Sequence, residues 1–152
     1  MKFGMYTVNR KDIGLFEEEL PGYVLDNCGK KGCFMIGAVD EDSNLVGLTQ
    51  FYIGMLDDGE FISDVVYVYV SEEFRRNGAA SKMLAKVHSI LKNSGIDKSL
   101  TFMGKKQEEK ELFTENGYLF MKAEKDSIKE LEEVHEELNP SKTEQGVYWL
   151  DR

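Results

Sequence analysis

The stretch Phe61-Ile62-Ser63-Asp64-Val65-Val66-Tyr67-Val68-Tyr69-Val70-Ser71-Glu72-Glu73-Phe74-Arg75-Arg76-Asn77-Gly78-Ala79-Ala80 decides how this chain is read. Val65 to Val70 is a run of β-branched and aromatic residues, the composition of a strand covered on both faces. From Ala80 onward Met83, Leu84, Val87, Ile90 and Leu91 recur at the spacing of one helix face. Between strand and helix, Arg75 to Ala80 joins two guanidinium groups to a glycine and two small residues, so a ligand can approach the main chain there. A helix start carries unpaired N–H groups and a partial positive charge, which suit phosphate oxygens. The turn is therefore read as the seat of a phosphate-bearing cofactor; a glycine turn that merely starts a helix is the plain alternative. No Gly-Lys-Ser/Thr follows, which excludes a P-loop, and the glycines and acidic residue of the dinucleotide fingerprint are missing.

Outward from this stretch, Leu45 to Met55 and Cys33 to Val39 read as strands joined by the turn Asp40-Glu41-Asp42-Ser43-Asn44, and Asp57-Asp58-Gly59-Glu60 leads into the Val65 strand. Lys2 to Val8 alternates like a short strand. Asn9 caps a helix striped by Ile13, Phe16 and Leu20 and stopped by Pro21-Gly22, and Tyr23 to Asn27 suits a second short helix. Beyond the central helix, Gly95 suits a left-handed cap. Ser99 to Met103 follows a strand–helix crossover and so should lie parallel to Val65 to Val70. Lys105 to Glu115 reads as helix, Tyr118 to Lys122 and Gly146 to Leu150 as strands.

Two patterns here resemble the GCN5-related N-acetyltransferase (GNAT) superfamily. Arg75-Arg76-Asn77-Gly78-Ala79-Ala80 is similar to its Arg/Gln-x-x-Gly-x-Gly/Ala turn, preceded by Val70-Ser71-Glu72-Glu73-Phe74-Arg75. Leu112-Phe113-Thr114-Glu115-Asn116-Gly117-Tyr118 is similar to its Leu-Tyr-x-x-x-Gly-Phe segment. The resemblance spans Leu45 to Met121. It implies an α/β (α+β) fold with a mixed, mostly antiparallel central sheet of six to seven strands flanked by about four helices, in one domain over 1–152. Residues 124–146 depart from the family pattern as an insert before the last strand. There Asp126 to Leu138 has Ile128, Leu131, Val134 and Leu138 on one face and Glu130, Glu132, Glu133, Glu136 and Glu137 on the other. This extra acidic helix covers the acceptor cleft, packs on a partner subunit, or lies on the surface.

Composition sets the outer bounds. At 152 residues with 41% hydrophobic residues, the chain can bury a full core. No apolar run approaches the roughly 20 residues of a membrane helix and no signal peptide is recognisable, so a cytoplasmic protein is expected. Cys28 and Cys33 are too few for a disulfide framework or a zinc site, and no metal is expected. A net charge of -9 argues against nucleic acid as partner. From Arg75 to Lys110, however, nine Lys and Arg face three acids, a net of +6, so the rest carries -15. A basic zone suits a polyanionic cofactor, and an acidic remainder suits a cationic acceptor; solvated helix faces account for Lys86, Lys92, Lys98 and Lys110. A homodimer is compatible with the sequence.

The resemblance implies that acetyl-CoA, or another acyl-CoA, is the co-substrate, its pyrophosphate wrapped by Arg75, Arg76, Asn77, Gly78, Ala79, Ala80 and Ser81. It places Lys106 and Phe113 along the pantetheine arm, and a backbone N–H around Tyr69 and Val70 as oxyanion donor. The family's carboxylate base falls on Asp64. Its tyrosine acid falls on Phe113, which has no proton to give; Tyr118, Tyr67 or water are the substitutes. Tyr67 and Tyr69 otherwise read as packing residues, His88 and His135 as surface residues. The implied activity is N-acyl transfer to a small amine or to a lysine or N-terminal amine of a protein. The alternative is a non-catalytic module of the same fold that binds an acyl-CoA or pairs with another domain.

Overall fold

The computed structural model describes residues 2–4, 18–42, 44–56, 58–75, 78–102, 107–121, 129–140 and 147–151. The expected first helix around Asn9, Ile13 and Phe16 lies outside them, as do Arg76, Asn77, Lys106 and the start of the acidic helix. The strands are β1 (Lys2–Gly4), β2 (Cys33–Val39), β3 (Leu45–Met55), β4 (Phe61–Val70), β5 (Lys98–Phe102), β6 (Leu119–Met121) and β7 (Val147–Asp151). The helices are α1 (Gly22–Asp26), α2 (Ala79–Asn93), α3 (Gln107–Glu115) and α4 (Lys129–Leu138).

The strands form one seven-stranded sheet in the order β1-β2-β3-β4-β5-β7-β6. β4 and β5 are its one parallel pair among the described residues, as the crossover through α2 requires. The meander β2-β3-β4 is antiparallel. Both faces are covered, which is why β3 and β4 carry long apolar runs.

On one face α2 lays Met83, Leu84, Val87 and Leu91 against Ala38, Val46, Ile36, Phe51 and Val65. Each such burial contributes about 1.5–3 kcal/mol, more than any helix-propensity difference in the segment. Gly95, at φ +84, ends α2 as expected, with the Ile96 N–H bonded back to the Leu91 carbonyl. Gly47 lets β3 and β4 pass beneath α2, since a Cβ there would stand 2.8 Å from the Tyr69 carbonyl oxygen.

The opposite face carries α1 and α4. Leu20, Val24, Leu48 and Tyr69 form one cluster; Ile62, Leu100, Phe102, Leu131 and Val147 form another. The acidic helix therefore packs on this chain's own sheet, with Leu131, His135 and Leu138 buried and Glu133, Glu136 and Glu137 exposed. A buried polar joint holds it there. Asn27 Nδ2 donates to the Leu138 carbonyl (2.7 Å) and to Gln50 Oε1 (3.0 Å), and Gln50 Nε2 donates to the Val24 carbonyl (3.0 Å).

One irregularity in β4 sets up the site. Gln50 pairs with Tyr67 and Phe51 with Val65, so Val66 is an extra residue, a β-bulge. Without it Asp64 and Tyr67 would point to opposite faces. With it, Asp64, Tyr67 and Tyr69 share the α1/α4 face, while Val65, Val68 and Val70 pack on the α2 side.

Candidate functional site

β4 and β5 pair only at Ser63–Ser99 and Asp64–Leu100; past that point they part. Side chains occupy the carbonyls freed at the fork. Thr101 Oγ1 donates to the Val65 carbonyl (2.8 Å) and Asn139 Nδ2 to the Val66 carbonyl (2.7 Å).

Further along β4, the Ser71 N–H donates to the Val46 carbonyl. Opposite residues in an antiparallel ladder alternate between bonded and non-bonded pairs, so this bond fixes the phase. Tyr69–Leu48 and Tyr67–Gln50 are bonded pairs, and the N–H groups of Val68 and Val70 turn away from β3 into the fork. Of the two expected oxyanion donors, Val70 therefore faces the fork, whereas the Tyr69 N–H belongs to the ladder. Val68 is a second fork-facing donor, which only the register reveals.

The fork opens toward the start of α2. Gly78 caps that helix at φ +75, and no side-chain cap serves the first-turn N–H groups. A Cβ on Gly78 would meet no atom of the described residues within 4 Å, so among them the ground in front of those amides is open. Ala79 is buried beneath the turn, Ala80 is half-buried, and Ser81 Oγ accepts from Asn116 Nδ2 (3.0 Å). Arg75 spends its Nε on the Val70 carbonyl (2.8 Å), which holds the exposed guanidinium beside the opening. Open space, uncapped amides and an arginine fit a diphosphate group.

Asp64 is the last β4 residue paired to β5 and is fully buried. Its Oδ2 lies 2.6 Å from His135 Nδ1, and the His135 ring packs on Phe102 of β5 with centroids 4.4 Å apart. The imidazole is thus wedged over the point where the strands part. Asp64 Oδ1 and His135 Nε2 are both buried and have no hydrogen-bond partner among the described residues; leaving such a group unpaired costs about 1–3 kcal/mol.

His135 is therefore no surface residue. Leu131, His135 and Leu138 stand at i, i+4 and i+7, the spacing of the buried stripe, and the five surrounding glutamates masked that signal in the sequence. His88 corrects the same way. It falls between Leu84 and Leu91 on α2 and is buried on the opposite face.

Tyr118, a candidate substitute acid, lies with His88 and not with Asp64. It is 1% exposed, its hydroxyl 2.5 Å from His88 Nε2 and 2.6 Å from Ser99 Oγ. Those contacts take it to the α2 side, beside the paired segment rather than the open one. Phe113 is also in that core, edge-on to Tyr118 (5.0 Å) and stacked on Tyr148 (6.5 Å).

The two β4 tyrosines keep their protons. Burial, helped by Tyr23 and Glu109, pushes the Tyr67 phenol up to about 12. Burial, then its hydrogen bond to Glu19, raises Tyr69 further. Burial also raises the Cys33 thiol. Among the described residues no group of three or more His, Cys, Asp and Glu side chains is placed to hold a metal ion. Nor is any helix among them long and apolar enough to cross a membrane.

A mostly antiparallel sheet whose parallel pair parts beside a glycine-led helix is the fold of GNAT acetyltransferases. The model of the Acetyltransferase (GNAT) family matches residues 4–118, and the chain belongs to that family. Similar solved structures include a ribosomal-protein-alanine N-acetyltransferase from Brucella melitensis biovar Abortus 2308 (17% identity, 76% of this chain and 90% of that one, TM-score 0.63). A GNAT-family acetyltransferase from Staphylococcus aureus Mu50 is 18% identical over 99% of this chain and 98% of its own (TM-score 0.63). The PaiA N-acetyltransferase of Thermoplasma acidophilum, solved with coenzyme A, is 10% identical over 100% of both chains (TM-score 0.63). No curated protein matches the sequence.

Proposed function

We propose that the chain is an acyl-CoA-dependent N-acyltransferase that moves acetyl from acetyl-CoA to a primary amine by direct attack on the thioester. One observation carries this reading: the free edge of β4, with Val68 and Val70 donors, runs from a buried carboxylate at Asp64 to open amides at Gly78. A diphosphate at the start of α2 and a reacting carbonyl near Asp64 would lie at the two ends of that edge. Arg75 and the amides of residues 78–81 hold the diphosphate, with Arg76 and Asn77 expected to join them. Val68 and Val70 pair the arm that follows, and one of their N–H groups faces the oxygen that gains charge.

The chemistry sets the demands on the remaining groups. An alkylammonium of pKa ~10.4 gives up a proton at pH 7 at a cost of about 4–5 kcal/mol, so a base must stand at the acceptor. The buried Asp64 centre supplies it. Releasing a thiolate of pKa about 8.5 unprotonated costs only about 2 kcal/mol, so the absence of a hydroxyl at Phe113 slows the reaction without ending it. Tyr67, on the Asp64 face and protonated up to about 12, is the side-chain donor in place of Tyr118. The acidic remainder of the chain favours a cationic acceptor, either a small amine or a lysine or N-terminal amine of a protein. A net charge of -9 supports such acceptors over nucleic acid.

One observation favours the binding-module reading: Phe113 is locked in the core and offers no proton. Incubation with acetyl-CoA and a panel of primary amines, with free thiol measured, separates the two. Thiol release that depends on the amine supports transfer. Calorimetric binding of coenzyme A without release across the panel supports the module, and no binding at all sinks both.

A further inference from the structure

The contacts of Asp64 point past the carboxylate itself. Between an ionised Asp64 and a neutral His135, Oδ2 accepts at 2.6 Å from Nδ1, and in that arrangement Nδ1 carries the hydrogen and Nε2 presents a lone pair. A carboxylate oxygen and an imidazole nitrogen, both buried, are then two acceptors with no donor among the described residues. The chemistry complementary to them is a nitrogen rich in N–H bonds, a primary ammonium. Their position over the Phe102 end of the fork is where the free edge of β4 begins.

Resting on the transferase reading above, we propose that His135 Nε2, not Asp64, takes the proton from the incoming ammonium, with Asp64 as the positioning residue that fixes the tautomer and stabilises the imidazolium. The first ammonium proton passes to Nε2 and the freed lone pair attacks the thioester carbonyl carbon. A C–N bond forms, and the C–S bond breaks as the intermediate collapses. The second proton of the attacking nitrogen ends on the departing sulfur, giving the free thiol, and His135 releases the first to solvent. Substrate ammonium and acyl-CoA thus become amide, thiol and one proton. The base comes from the α4 insert, the segment that departs from the family pattern.

The test uses the full chain, acetyl-CoA and the best amine of the panel. His135→Gln can still donate to Asp64 but is no base; it should lower kcat about 100- to 10,000-fold while KM for acetyl-CoA stays within about threefold. Added imidazole should restore part of the activity of His135→Ala and none to His135→Gln. Asp64→Asn should lose kcat on the same scale, because an amide can present its N–H to Nδ1 and reverse the tautomer. Nitrogen-15 NMR gives a readout independent of turnover, since the chain has two histidines. His135 should show a protonated Nδ1 and bare Nε2, and its signals should move on adding acetyl-CoA while those of His88 stay.

Unchanged kcat in His135→Gln, a protonated Nε2 with bare Nδ1 in the neutral ring, or no response to acetyl-CoA overturns the role of His135 and leaves the transferase reading standing. A wild-type chain that binds coenzyme A yet releases no thiol with any amine sinks that reading, and this role with it.

Discussion

Two buried histidines sit on opposite faces of the same parting strands, and their surroundings differ in kind. His88 meets hydroxyls: its Nε2 is 2.5 Å from Tyr118, which in turn is 2.6 Å from Ser99. Both partners are hydroxyls, each able to donate or accept. His135 meets a carboxylate, and among the described residues the pair leaves Oδ1 and Nε2 over. Hydroxyls around an imidazole can satisfy one another within a core; a carboxylate beside an imidazole at the fork is the pair to which the proposal above gives a role.

The contrast is most open to attack through activity. His88→Gln or Tyr118→Phe should leave kcat within about threefold, against the loss of at least about 100-fold expected from His135→Gln. A comparable loss from both faces would erase the distinction. The same two variants should instead lower stability by about 1–3 kcal/mol, visible in denaturant unfolding, because each removes a buried hydrogen-bonding partner.

Gly78→Glu tests the mouth that both faces share. A carboxylate would enter the open ground before the uncapped amides, at a φ of +75 that disfavours any side chain. Coenzyme A binding by calorimetry should weaken at least about 100-fold; Gly78→Ala, carrying the strain without the charge, should weaken it far less. Equal affinity in Gly78→Glu and wild type would remove the turn from the site.

Smaller effects probe how the α4 face is held. Asn27→Ala strips the Leu138 carbonyl and Gln50 of their shared donor and should cost about 1–3 kcal/mol, seen in thermal unfolding. The smallest effect is alkaline. Burial raises Tyr67 to about 12 from an unfolded value near 10, so its contribution to stability is whole below pH 10 and gone once pH passes 12. Tyr67→Phe should flatten that part of the stability profile, and an unchanged slope would mean the phenol is not shielded.

Local signals in the sequence were enough for most of the fold. The β2-β3-β4 meander, the parallel β5 and the Gly95 cap follow from period-two runs, turn residues and crossover handedness, all short-range or nearly so. The place of Gly78 at the start of α2 was legible because a sharp turn from strand into helix favours the residue without a Cβ. The Val66 bulge was not. It is a mismatch between two strands, and no single strand's residues announce it, so the face shared by Asp64, Tyr67 and Tyr69 needed the pairing with β3. His135 was half legible: its i, i+4, i+7 place was in plain view, but glutamates on every side suggested water. Tyr118 lies with His88 and Ser99 on the α2 side, a placement that no local pattern announces.

One consequence of the Asn27 joint concerns order in time. The Leu138 carbonyl it bonds lies 111 positions further along the chain. During synthesis the earlier strands can pair while Asn27 and Gln50 are still hydrated. The Asp64–His135 pair is covered only when that long loop closes, a step that loop-closure entropy places after the local pairings.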